Sequence, residues 1–465
     1  MRLSIPRLVV AGLAGDSGKT LLSIGLARAF TGRGVGVAPY KKGPDYIDAA
    51  WLGLAAGRPA RNLDTFMMPE GGIGSSLAAA AGADLVLVEG NRGLFDGLDA
   101  AGSHSTAELA KSMGAPVVLV VDVTKTTRTV AAQVLGCQVL DPALTIAGVV
   151  LNRVATRRQE VLVRRAVESA TGLPVLGAVP RLRGGGPLPG RHLGLVTVGD
   201  HGAAGEAVDR AAETVAAHVD LEGVLARAAR LSRTVDLPEM QVPRSAARCR
   251  VAVARDAAFC FYYPENMEAL EAAGAEILAF SPVAGEGLPA ATEAVYLGGG
   301  FPEVHAEALA ANGALRSDLR RAAASGIPIY AECGGLMLLA RELRQEGAAL
   351  PMAGVLDLVV EQRSRPQGHG YVLGRVAAAN PWFAAGETLR GHEFHYSTVV
   401  EGGDAGDTVL ELERGTGIGA GRDGIVKGGV WAGYLHLHIW SVPGWAARLT
   451  EMACGEPELS RAAGS

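Results

Sequence analysis

Two short stretches of this sequence carry residue types whose spacing suits chemistry. The first is AGLAGDSGKT, Ala11 to Thr20, which follows an apolar run and opens a helical pattern. A strand–loop–helix turn of this kind aims backbone N–H groups and the positive end of a helix at phosphate oxygens. Gly15, Asp16, Ser17 and Gly18 form the loop, Lys19 is placed to neutralise β/γ-phosphate charge, and the Thr20 hydroxyl is placed to ligate Mg²⁺. The strict pattern G-x-x-x-x-G-K-[ST] asks for glycine at position 13. Leu13 stands there, with Gly12 and Gly15 beside it, so the loop is a variant. The second stretch is IPIYAECGGLMLLA, Ile327 to Ala340: an apolar strand, a Glu-Cys-Gly-Gly turn and an apolar helix. A cysteine at that turn, Cys333, lies at a helix N-terminus, where the dipole favours thiolate. Gly334 and Gly335 leave room for a substrate carbonyl. The N–H after the cysteine can serve one oxyanion contact, and Gly299 and Gly300 of LGGGFPE can offer another.

A thiol nucleophile needs a base. The available imidazoles are His436 and His438 in GYLHLHIW and His392 and His395 in GHEFHYS. On a strand, His436 and His438 would share a face with Leu437 opposite, and spacing does not choose among the four. Glu393 is placed to orient an imidazole. Around the phosphate loop, Asp45 and Asp48 in KKGPDYID, Glu89 at the end of LVLVEG and Asp96 in RGLFDG follow apolar runs. Ligands of doubly wound sheets bind beyond those strand ends, and carboxylates there can hold Mg²⁺ directly or through water. Any one of them alone could be a helix cap or turn carboxylate, a reading that weakens for the four together. Lys41 and Lys42, with Tyr46 beside them, could clamp an acidic substrate or the γ-phosphate. Asn152 could present its amide to a nucleotide base.

The elements that must position these residues are legible. Strand-like runs at Leu8–Leu13, Val35–Pro39, Leu85–Glu89, Val117–Val123, Ile146–Leu151 and Val175–Val179 alternate with helical patterns such as Leu21–Thr31 and Thr106–Met113. Near-continuous Val/Leu/Ile runs are those of parallel strands covered on both faces, and their alternation with helices predicts a doubly wound α/β domain. An Arg-rich, proline-containing stretch from about Leu221 to Arg248 reads as a helix running into a linker. A second α/β series follows: Arg250–Ala254, Glu276–Phe280, Ala294–Leu297 and Ile327–Ala331, then late strands near Gly370–Val376, Ser397–Glu401 and Gly429–Tyr434. The expected layout is a ligand-activating domain over 1–220, helix and linker over 221–248, a cysteine-nucleophile domain over 249–455 and a tail over 456–465. Gly184–Gly190 reads as a flexible loop.

The 465 residues suffice for two or three domains at about 150 residues each. Basic residues number 43 against 48 acidic, and aromatics are 5 %, which disfavours a nucleic-acid binder. Five dispersed cysteines without a CxxC pair point away from a disulfide framework or structural zinc and towards a reducing, cytoplasmic compartment. Apolar runs are shorter than the roughly 18–20 residues of a membrane span. Met1 to Gly15 is read as a first strand, because it leads straight into the phosphate loop.

A nucleotide site and a Cys/His acyl-transfer site on one chain combine into an ATP-dependent amidotransferase. The thiol releases ammonia from glutamine, ATP activates a carboxylate as an acyl phosphate, and ammonia attacks it. The motifs AGDSGKT, PYKKGPDYIDAAW, RNLDTFMM, VEGNRGLFDG, AFCFYYPENMEAL, YLGGGFPE, AECGGLMLL, GHEFHYS and YLHLHIW span essentially the whole chain. Through them it resembles the cobyrinic acid a,c-diamide synthase family. The resemblance implies an N-terminal dethiobiotin-synthetase-like ATP domain and a C-terminal class I-like glutaminase domain of the cobalamin type. It implies ATP and Mg²⁺ as cofactors and amidation of the a and c acetates of a corrinoid, c first, with ammonia passing internally. Hydrogenobyrinic acid, Ni-sirohydrochlorin and sirohaem are alternative acceptors. By motif, Cys333 matches the family nucleophile and His436 the residue that raises its nucleophilicity. Thr20, Asp45, Asp48, Glu89 and Asp96 match positions tied to ATP, Mg²⁺ and carboxylate activation. Where the usual glutaminase triad has Glu two residues after His, this chain has His438, leaving open what orients His436. The implied partners are small molecules, with neither nucleic acid nor membrane, and a homodimer stays open.

Overall fold

The structure is a computed structural model that describes residues 1–69, 71–182, 186–188, 190–191, 194–199, 201–244, 248–403 and 407–455. The tail over 456–465 lies outside these, as do parts of the Gly184–Gly190 loop and of the 221–248 linker. The chain divides into two compact units, Met1–Met240 and Gln241–Ser465.

The first unit is built on seven parallel strands: β1 (Arg7–Gly12), β2 (Val37–Lys42), β3 (Arg61–Leu63), β4 (Leu85–Gly93), β5 (Val117–Asp122), β6 (Ile146–Val154) and β7 (Val175–Pro180). Their order is β3-β2-β4-β1-β5-β6-β7, with every pairing parallel. Alternation decides which side chain goes where. Leu8 and Val10 enter one core with helix α1 (Lys19–Thr31), while Val9 and Ala11 enter the core on the opposite face. Burial on both faces explains why these strands read as unbroken apolar runs. Helix α1 begins directly after the phosphate loop. The helix Leu221–Leu231, which the sequence places with the linker, packs through Leu221, Val224 and Ala228 into the core that contains α1. Ser232 beyond it exchanges hydrogen bonds with the backbone of Arg7, so the first unit extends past residue 220.

The second unit is built on ten strands: β8 (Cys249–Ala254), β9 (Ala275–Phe280), β10 (Ala294–Leu297), β11 (Ile329–Glu332), β12 (Gly368–Val376), β13 (Thr388–His395), β14 (Thr408–Arg414), β15 (Arg422–Lys427), β16 (Val430–Gly433) and β17 (His436–Leu437). The order is β9-β8-β10-β11-β16-β15-β14-β12-β13-β17. The half from β9 to β16 is parallel, and the remaining strands join antiparallel. Helix α2 (Gly334–Leu339) follows β11 after one intervening residue, Cys333. Cys137 and Cys249 are buried, whereas Cys260 and Cys454 are exposed and so are not core residues. Among the described residues no helix is long and apolar enough to cross a membrane.

Candidate functional site

In the first unit the phosphate loop connects β1 to α1 on the carboxyl edge of the sheet. Gly15 and Asp16 are exposed, and Ser17 is buried with its hydroxyl donating to Ala14 O at 2.8 Å. Lys19 is buried, and its ammonium donates to Ala14 O at 3.0 Å. Burial, then the charge of Lys41, lowers its pKa. Thr20 Oγ1 donates to Glu89 Oε1 at 2.6 Å. The Lys41 ammonium bridges Glu89 Oε1 at 2.8 Å and Asp48 Oδ2 at 2.7 Å. Asp45 caps the helix Tyr46–Ala56 by accepting the Asp48 N–H at 2.9 Å. Burial and the neighbouring Asp48 push Asp45 up to about 7, and burial raises Glu89 as well. Four expected residues, Thr20, Asp45, Asp48 and Glu89, thus meet in one network around Lys41. Asp96 stands apart: its Oδ2 accepts the Gly93 N–H at 2.8 Å. A Cβ on Gly93 would lie 2.8 Å from Leu13 O, so Asp96 borders the phosphate loop from the β4 side.

Two expectations here need correction. Lys41 cannot clamp a substrate from solvent, because it is buried and paired to two carboxylates. Lys42 is also buried and faces Asp64 Oδ2 at 3.6 Å, with Asp64 itself fully buried. The two adjacent lysines, read as a clamp in sequence, each meet a carboxylate of the protein itself. Asn152 lines the cavity beside the loop, and its Nδ2 donates one hydrogen to Ser17 O at 2.8 Å, bracing the phosphate loop. Tyr46, at the first position of its helix, is half-buried. A cavity of about 480 Å³ adjoins the loop, lined by Gly18, Asp122, Asn152, Arg153, Pro180 and Arg181. A divalent cation fits the donor set near Thr20. These are hard oxygen ligands, and Glu89 Oε2 is buried with no hydrogen-bond partner among the described residues.

In the second unit Cys333 occupies a sharp turn between β11 and α2. Its backbone has φ 48° and ψ −95°, a strained conformation for a residue with a Cβ. A Cβ on Gly334 would lie 3.1 Å from Pro302 Cδ and 3.3 Å from Gly300 N, so the 299–302 turn borders the nucleophile turn. Gly300 has φ 156°, and a Cβ there would overlap Ala258 O. A Cβ on Gly299 would overlap the His436 ring, so glycine is required for that imidazole to reach this place. Cys333, Gly299, Gly300, Gly334 and His436 are therefore brought together. Burial, then Glu303 and Glu332, pushes the Cys333 thiol well above its usual range.

Glu393 does not orient His436. Its carboxylate accepts the Thr416 and Gly417 N–H groups at 2.6 and 2.8 Å and faces His395 Nε2 at 3.4 Å. The carboxylate at His436 is Glu332, with Oε2 3.6 Å from Nδ1. Glu332 is buried and accepts from Tyr330 Oη at 3.0 Å, Tyr296 Oη at 3.3 Å and Leu437 N at 3.1 Å. Sequence reasoning missed it, although it is the residue before Cys333. His392 stacks on His436 with ring centroids 4.8 Å apart. His395 stacks on Tyr434, and its Nδ1 lies 2.7 Å from Ser397 O. His438 lies just past the end of the strand at Leu437. Its ring packs on Tyr263 and its Nε2 lies 3.7 Å from Glu265.

Residues 8–194 match the CobQ/CobB/MinD/ParA nucleotide binding domain, and residues 250–443 match the CobB/CobQ-like glutamine amidotransferase domain. A cobyrinate a,c-diamide synthase of Magnetococcus marinus is 41 % identical over 455 residues, covering 96 % of this chain and 97 % of that relative. A cobyrinate a,c-diamide synthase of Archaeoglobus fulgidus is 40 % identical over 454 residues, covering 97 % of this chain and 98 % of the relative. The chain belongs to the a,c-diamide synthase family. A hydrogenobyrinate a,c-diamide synthase of Streptomyces coelicolor is 41 % identical over 488 residues, covering 96 % of this chain and 97 % of that relative. Members of this family join a nucleotide-binding domain to a glutamine amidotransferase domain, as this chain does, and it is a glutamine-dependent amide ligase that uses ATP.

Proposed function

We propose that this ligase amidates the a and c acetate carboxylates of a corrinoid, cobyrinic acid or hydrogenobyrinic acid. Full-length identity near 40 % to synthases of both names carries this reading and favours neither ring over the other. A free carboxylate resists attack by ammonia because its leaving group would be oxide. Phosphoryl transfer makes the leaving group phosphate. The phosphate loop positions the nucleotide, and the base and sugar are assigned to the cavity beside Gly18 and Arg153. Mg²⁺ is assigned to Thr20 and Glu89, with Asp45 and Asp48 nearby, where it supplies charge neutralisation for the phosphates.

In the second unit Cys333 Sγ attacks the side-chain amide carbon of glutamine. His436 takes the thiol proton and returns it to the departing ammonia. Water then cleaves the thioester, releasing glutamate. The Gly334 N–H and the Gly299–Gly300 turn are assigned to the oxyanion. Residues 1–240 act as the amidoligase half and 241–455 as the glutaminase half.

Mass spectrometry of products tests the reading. With ATP, Mg²⁺ and glutamine, cobyrinic acid, hydrogenobyrinic acid, Ni-sirohydrochlorin and sirohaem are offered in parallel. Each replacement of OH by NH₂ lowers the mass by about 1 Da, and two such steps on a corrinoid are expected. Amidation of the sirohydrochlorin-type rings alone overturns the acceptor and leaves the ligase chemistry standing.

A further inference from the structure

Among the described non-glycine residues of the first unit, five have a left-handed backbone: Asp16, Arg92, His104, Lys125 and Arg153, with φ between 49° and 59°. Arg92 and Arg153 lie near the carboxyl ends of β4 and β6, Asp16 and Lys125 in the loops that follow β1 and β5, and His104 in the segment between β4 and the helix Thr106–Ser112. Strain of this kind persists where surrounding structure holds it, and it concentrates at ligand sites. Four of the five carry a cationic side chain or an imidazole. These segments therefore present positive or protonatable groups at a cost in backbone strain.

Strand order sorts them. The phosphate loop follows β1 in the middle of the sheet. On its β5–β6–β7 side lies the cavity lined by Gly18, Asn152 and Arg153, and Arg153 is paired there with Asp122. On its β4–β2 side lie Glu89, Asp48, Asp45 and Lys41. A nucleotide whose base fills the first side points its terminal phosphate towards the second, so the carboxylate to be phosphorylated arrives from β4 and β2. Most cations on that side are already engaged. Lys41 meets Glu89 and Asp48, Lys42 faces Asp64, and His104 Nδ1 lies 2.8 Å from Thr65 Oγ1. Arg92 is different. It is exposed, three residues past Glu89 on the same strand, and its guanidinium has no hydrogen-bond or ion-pair partner among the described residues.

We propose that Arg92 is the acceptor clamp: it grips a carboxylate of the polycarboxylate ring and holds the ring's reacting acetate against the phosphate loop. The planar guanidinium suits carboxylate through two parallel N–H···O bonds, which a lysine cannot reproduce. The inference rests on the corrinoid reading above.

The test uses the full chain with ATP, Mg²⁺ and ammonium chloride as amide donor, so that Cys333 does not limit the rate. Cobyrinic and hydrogenobyrinic acids are the acceptors, and wild type is compared with Arg92→Gln, Arg92→Lys and Arg92→Gly. Arg92→Gln is expected to raise the acceptor KM about tenfold or more while the ATP KM stays within about twofold, as for a lost charge-assisted bond. Arg92→Lys falls between, keeping charge without the fork. Arg92→Gly, which relieves the left-handed strain, is expected to unfold at the same temperature or higher yet lose acceptor affinity as Arg92→Gln does. If wild type amidates neither ring, the corrinoid reading fails and the clamp with it. If wild type amidates a ring and the variants keep its acceptor KM, the clamp alone is overturned. A rise confined to the ATP KM also overturns it, by assigning Arg92 to the phosphates.

Discussion

The Glu332 carboxylate stands 3.6 Å from Nδ1 of His436, and Glu332 is the residue immediately before the nucleophile Cys333. One short segment thus supplies both the thiol and the carboxylate behind its proposed base. Two tyrosine hydroxyls and the Leu437 N–H hold that carboxylate in place. That places Glu332 to orient the imidazole, in the way the residue two positions after His does in the usual glutaminase triad, a position taken here by His438.

Glu332→Gln is expected to lower glutamine-dependent kcat by about 10²-fold or more, the scale of a misplaced or wrongly protonated base. Ammonia-driven amidation should remain, and comparing the two donors checks this. Glu393→Gln should behave in the opposite way, sparing glutamine hydrolysis and costing stability. Burial pushes Glu393 up, but the bonds from His395, Gly417 and Thr416 outweigh it, so its pKa ends below the usual value. A depressed carboxylate stabilises the fold above its unfolded pKa, near 4.3, and that contribution disappears as pH falls through the folded value. The stability gap between wild type and Glu393→Gln should therefore be full at pH 7 and shrink as pH drops below about 4, as read from urea midpoints.

Cys333 should alkylate slowly at neutral pH and faster as pH rises. Burial is the largest cause of its raised thiol pKa, followed by the charges of Glu303 and Glu332. Glu303, pushed up to about 7 by burial, gains its charge above that pH and then opposes thiolate formation. Glu303→Gln removes this charge, so the variant's Cys333 should react faster with iodoacetamide than wild type, most clearly above pH 7. Equal rates at pH 8.5 would show that Glu303 does not act on the thiol.

Lys41 should prove to be a stability residue as much as a phosphate-site residue. Burial disfavours its charge, but Asp48 and Glu89 outweigh that and hold the ammonium firmly protonated. Lys41→Met leaves those carboxylates facing each other without a cation, a loss expected to cost about 3–5 kcal/mol in urea unfolding. The deficit should narrow at pH 5, because a protonated carboxylate no longer needs the ammonium.

The sequence by itself determined most of the parallel strands, the phosphate loop, the Cys333 turn and the chemistry they share, but not the strands Thr388–His395, Thr408–Arg414 and Arg422–Lys427. The features it determined are local. Unbroken apolar runs mark strands buried on both faces, and Gly-Lys-Thr or Glu-Cys-Gly-Gly after such a run marks a strand-to-helix turn. The tertiary structure decided which distant polar groups meet. Lys41 and Lys42 read as a clamp for an acidic substrate or the γ-phosphate, but strand alternation sends them to different carboxylates, Glu89 with Asp48, and Asp64. Glu393 lies one residue from His392, which stacks on His436, yet pleating turns its carboxylate away towards Thr416 and Gly417. Glu332 reaches His436 only because β11 and β16 pair side by side and bring residues about a hundred positions apart together. Arg92 gave no sign in its residue type. Its left-handed backbone, at the edge where the strands of the first unit end, is a property of the folded chain alone.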